Sequence, residues 1–186
     1  MEEAVVTTYV ALVRGINVGS STLVPMPDFQ RVLEERGFTR VKTLLRSGNA
    51  VFDTEATLSH GDVADLEARF AETTGVTAPF VVIEGSEFVR IVDENPLAEL
   101  CDNPSRLMIS FLPGPAPAGV TTPDAAALVP EVVRVGGRAV YAWCPHGVSA
   151  SKIPAAFWRQ FGQGATVRNA NTAAKLVSLV LPRLEE

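Results

Sequence analysis

Histidine and cysteine are scarce in this chain, two of each in 186 residues, and their scarcity removes whole classes of chemistry. Cys101 and Cys144 form no CxxC pair and no ladder of spacings, so a disulfide framework is excluded and reduced thiols in a cytoplasm are expected. Cys144-Pro145-His146 offers two soft ligands, but no third cysteine exists and His60 is far away in sequence; no metal site is expected. There is no GxSxG, HExxH, GxGxxG or Walker lysine, which removes the recognisable hydrolase and nucleotide motifs and implies no cofactor. A basic excess is also missing. With 16 basic against 21 acidic residues the formal charge is -5, which disfavours general nucleic-acid binding, although Arg14, Arg46, Lys152 and Arg168 could still form a local basic patch. No uncharged apolar run approaches the ~20 residues that span a bilayer. Met1-Glu2-Glu3 has no basic leader, so neither export nor membrane association is expected.

What is present is apolar sequence, 47% of the chain, arranged in short punctuated runs. That content supports a core of real size. Val5–Val13 is rich in β-branched and apolar residues at consecutive positions, as in a strand covered on both faces. Pro27, the stripe Phe29, Val32 and Leu33, and Gly37 then mark a helix ending near Arg36. Val41–Leu45 and Ala50–Phe52, joined by Arg46-Ser47-Gly48-Asn49, read as an antiparallel hairpin. Ser59 with Asp62 resembles a helix cap, Val63, Leu66 and Phe70 share a helical face, and Thr74-Gly75 stops it. Ala78–Ile83 is a fourth strand. Strand, helix, strand, strand, helix, strand is the ferredoxin-like βαββαβ plan.

The second half is less complete in the sequence. A short helix over Glu87–Val92, a strand over Leu107–Leu112 and an extended proline-rich loop over Pro113–Pro123 come first. The strands Glu131–Val135 and Arg138–Trp143 flank Gly136-Gly137, a hairpin signal. Ile153, Phe157 and Phe161 share one helical face, and Ala173, Leu176, Val177 and Val180 share another. On these periodicities the Trp158 and Phe157 aromatics belong to the core rather than to a base-stacking surface. The expected fold is α+β: a ferredoxin-like half over residues 1–84 and a related but incomplete α/β half over residues 85–186 that ends in helices.

Three polar segments stand out against this background. Arg14-Gly15-Ile16-Asn17-Val18-Gly19 follows the first strand and sets a guanidinium and an amide beside tight backbone. Arg46-Ser47-Gly48-Asn49 offers a hydroxyl and an amide, or is simply a turn, since Gly48 and Asn49 tolerate positive φ. Ser149–Lys152 with Thr166–Thr172 offers Lys152, Arg168 and Asn169 at the start of the last helix, or merely its caps.

Those segments also carry a resemblance. Tyr9–Gly19 followed by Val24-Pro25-Met26, Ser47-Gly48-Asn49 before Val51-Phe52, and Ser151-Lys152 with Thr166-x-Arg168-Asn169-x-x-Thr172-x-x-Lys175-Leu176 resemble three ordered signatures of the bacterial domain of unknown function 1697 family. The chain departs from that pattern at Ser20–Thr22, at Arg46 where Gln is common, and at Ala170 where an aromatic residue is usual. The resemblance implies a cytoplasmic α+β protein without an assigned biochemical role. The leading expectation is a binding protein in which Arg14, Asn17, Ser47, Asn49, Lys152, Arg168 and Asn169 gather around an anionic small molecule. Alternatives are an enzyme acting on a phosphorylated or nucleotide-like substrate, and an interaction or oligomer module in which these residues are only turns and caps; the sequence leaves the oligomeric state open.

Overall fold

The computed structural model describes residues 5–186, which divide into two compact units. One unit runs to Val89 and includes Leu176–Glu186; the other is Arg90–Lys175. Val5 and Val6 are exposed, and the first strand, β1, begins at Thr7 and runs to Val13. It is followed by α1 (Met26–Glu35), the hairpin β2 (Thr39–Leu44) and β3 (Asn49–Thr54), α2 (His60–Thr74), β4 (Phe80–Glu84) and α3 (Gly85–Asp93).

The first sheet is antiparallel with strand order β2-β3-β1-β4, the strand order of a ferredoxin-like unit. Register explains the uninterrupted apolar run of β1. Tyr9, Ala11 and Val13 share a face with Ala50, Phe52 and Phe80, and that face packs on Phe29, Val32 and Leu33 of α1 and on Leu66 and Phe70 of α2. The other face carries Val10, Leu12, Val51 and Ile83, also fully buried, so from Tyr9 onward no position of the strand is left for a polar residue facing water. Phe29, Phe70 and Phe80 meet edge to face at 5.1–5.8 Å, and Phe38 stacks on Phe52 at 4.3 Å. The Ser59 cap is a full reciprocal box with Asp62, and Gly75 ends α2 in the left-handed conformation.

The second unit continues with β5 (Leu107–Phe111), α4 (Ala125–Leu128), β6 (Val132–Val135), β7 (Ala139–Trp143), α5 (Ala155–Arg159), β8 (Thr166–Asn169) and α6 (Ala170–Leu184), the last of which runs on into the first unit. Its sheet order is β6-β7-β5-β8, so the second half repeats the strand plan of the first in full. The incompleteness lies in the helices. α4 and α5 have four and five residues, where α1 and α2 have ten and fifteen. Pro154 and the left-handed Gly162 bound α5, so Phe157 lies on the helix while Ile153 and Phe161 flank it. β8 had no strand signal: only four residues long, it carries threonine, arginine and asparagine at three of them. Among the described residues no helix is long and apolar enough to cross a membrane.

Candidate functional site

The two polar loops of the first unit are built as one object. β1 delivers Arg14 to the end of the central strand, where its backbone N–H donates to Pro79 O at 3.0 Å. The preceding Val13 N–H donates to Gly48 O in the other loop at 2.8 Å. Asn17 then uses its whole carboxamide as a clasp. Its Nδ2 donates to Arg46 O at 2.6 Å and to Val24 O at 3.1 Å, and its Oδ1 accepts from Val24 N at 2.9 Å. Thr22 closes the loop on itself, with Asn17 N donating to Thr22 O at 2.7 Å and Thr22 Oγ1 bonded to both backbone groups of Val18.

The hairpin turn is fixed from inside in the same manner. Asn49 is fully buried, and its Nδ2 donates to Leu44 O at 2.7 Å and to Ser47 Oγ at 3.0 Å. The left-handed residues of the turn are Leu45 (φ 58°) and Gly48 (φ 83°), whereas Asn49 is already in β3. Gly48 is needed twice over. Besides its φ, a Cβ there would lie 2.7 Å from Ile16 Cδ1 and 2.9 Å from Val13 Cβ. Ile16 of the first loop is therefore packed against the backbone of the second.

The consequence is a division of labour among the expected residues. Asn17 is spent on backbone groups and Asn49 on Leu44 O and the Ser47 hydroxyl, and both hold the loops; Arg14, Arg46 and Ser47 are exposed on the surface they create. Two guanidiniums and a hydroxyl on a rigid frame suit recognition of an anion by charge and hydrogen bonds. Sequence reading found these residues but not their coupling, because a carboxamide reaching Arg46 O across 29 positions leaves no local pattern.

In the second unit the expected residues sit on separate elements. Lys152 is exposed, and its backbone N–H donates to Glu131 Oε1 at 2.7 Å while Ser151 Oγ donates to Glu131 Oε2 at 2.5 Å. Glu131 is buried and pins this loop, a role no motif announces. Arg168 lies on β8 opposite Ile109, its Nη1 donating to Val167 O at 2.8 Å, and burial pushes its pKa down to about 10. It remains a cation at neutral pH. Asn169 Oδ1 accepts from Thr172 N at 3.0 Å, the expected cap of α6. Cys144 and Cys101 are free thiols; burial pushes the Cys144 thiol up, away from the thiolate that nucleophilic chemistry needs. No group of three or more metal-ligating side chains occurs among the described residues.

One cluster escaped the sequence altogether. Asp53 of β3 is buried and accepts from Thr8 Oγ1 at 2.8 Å and from Arg183 Nη1 of α6 at 3.1 Å. Arg40 Nε lies 3.3 Å from its other oxygen, an ion pair at an angle outside hydrogen-bond geometry. Arg183 also donates to Arg40 O, and Arg40 is bonded to Glu186 near the end of the chain.

Fold and loops together define a class: an α+β protein made of two ferredoxin-like sheets in tandem, with an interlocked pair of polar loops at the strand ends of the first. Its family follows from the profile of DUF1697, described as protein of unknown function, which matches residues 6–141. The chain belongs to that family. Among solved structures it is similar to the conserved bacterial protein SP0830 from Streptococcus pneumoniae, with a TM-score of 0.64 and 21% identity over 95% of this chain and 99% of that one. That likeness is one of fold. No curated protein matches the chain.

Proposed function

We propose that this protein binds an anionic small molecule, containing phosphate, nucleotide or carboxylate, on the paired loops of its first unit. Arg14 supplies charge, Ser47 orients the ligand through its hydroxyl, and Asn17 and Asn49 act as positioning residues. The observation that carries this reading is the Asn17 clasp. A hairpin turn and a strand-end loop each close well without it, and a 2.6 Å bond between them, over a glycine with no room for a Cβ, fixes exposed basic groups more rigidly than turning a chain requires. Asn169 is committed to capping and Arg168 is buried on β8, so the proposal is confined to the first pair of loops. A cytoplasmic setting is supported by the two free thiols.

The test is mass spectrometry of small molecules released from purified protein. An organic anion recovered in near-equal molar amount with wild type, and absent from an Arg14→Ala variant with an unchanged melting temperature, is the expected result. The same anion retained by Arg14→Ala would remove these loops from the binding site.

A further inference from the structure

The same loops expose apolar side chains next to their basic ones. Val18 is 72% exposed, Leu23 54% and Leu45 46%. Each stands one residue from a backbone or side-chain group in the Asn17 clasp: Val18 follows Asn17, Leu45 precedes Arg46, and Leu23 precedes Val24. Single exposed apolar residues are ordinary on any surface. All three adjoin residues that one carboxamide ties together.

Leu45 adds a conformational argument. It holds φ 58°, a region where asparagine or glycine is comfortable and a leucine is not, and it is 46% exposed there. Turn chemistry alone favours a polar residue at that position. Both nearby carboxamides are engaged by backbone or loop partners. The exposed residues of the two loops are the basic Arg14 and Arg46, the hydroxyl-bearing Ser20, Ser21 and Ser47, and the apolar Val18, Leu23 and Leu45.

We infer that the ligand is an amphiphilic anion, a phosphate or carboxylate head joined to an alkyl or aryl body, with the head at Arg14 and Arg46 and the body against Val18, Leu23 and Leu45. This rests on the anion reading above and names its chemical class.

The probes are inorganic phosphate and octyl phosphate, the latter kept below its micelle-forming concentration, titrated calorimetrically into the full-length protein. Octyl phosphate is expected to bind at least about tenfold more tightly, the gain from removing roughly two methylene groups from water. Leu45→Asn, which suits the left-handed backbone, and Val18→Ser are expected to bring octyl phosphate to within about threefold of inorganic phosphate while leaving the latter's affinity unchanged. Equal affinity for the two probes, both weakened by Arg14→Ala, would overturn the amphiphile and leave the anion site standing. A preference for octyl phosphate that survives Leu45→Asn and Val18→Ser would place the body elsewhere and overturn it as well. Binding of neither probe would remove the anion site and this inference together.

Discussion

Gly48 and Asn17 show how much of this protein rests on single residues. Gly19 and Gly48 both have φ near 80°, but a Cβ at Gly19 meets nothing within 4 Å, whereas at Gly48 it strikes Ile16 and Val13. Alanine at the two positions therefore separates strain from collision. Gly19→Ala is expected to cost about 1 kcal/mol, the conformational cost alone, and Gly48→Ala about 3 kcal/mol once overpacking is added. Urea unfolding of both variants checks the difference. Asn17→Ala deletes three hydrogen bonds and leaves Arg46 O and both Val24 groups without that partner, an expected loss of about 2 kcal/mol. In the amide spectrum its shifts should extend into Arg46–Gly48; shifts confined to residues 15–24 would show that the loops are independent. These residue types were legible as turn formers, and the resemblance marked their positions. That Asn17 faces Arg46 was not, since nothing in the sequence encodes a contact at that separation.

At the level of elements, legibility followed length and apolar periodicity. β1, α1, α2 and the two hairpins were readable because each joins a periodic apolar pattern to a recognisable stop. β8 was not, because Thr166, Arg168 and Asn169 are polar and its pairing with β5 supplies the order that its composition does not. The Ser59–Asp62 box, by contrast, carries a pH signature. Hydrogen bonds from the Ser59 hydroxyl and backbone hold the Asp62 carboxylate below its ordinary range, helped by Arg36. A depressed carboxylate stabilises the fold above its unfolded pKa and loses that contribution as pH falls through the folded one. Asp62→Asn should accordingly melt lower than wild type at pH 7, with the two curves converging as pH drops below about 4. A gap that persists at pH 2 would show that the carboxylate's charge is not what the cap uses.

Across the whole molecule, two copies of one strand order share a chain whose last residues belong to the first copy. The Asp53–Arg183 pair, 1% and 9% exposed, is the tie. Removing one partner of a buried pair leaves the other charge short of compensation, here eased by Thr8 and Arg40, so Arg183→Ala is expected to cost about 2 kcal/mol. Truncation after Lys175 removes that bond and the Val180 contact at Gly85 together and should lower the melting temperature further than Arg183→Ala does. Equal melting of wild type, variant and truncation would contradict the role given to the C-terminal segment. Anion binding at the loops is read out by mapping amide shifts while inorganic phosphate is titrated into the intact protein. Saturable shifts centred on Gly15, Arg46, Ser47 and Gly48, abolished by Arg14→Ala, are the predicted result. Shifts that are absent there, or centred on another part of the chain, would contradict it.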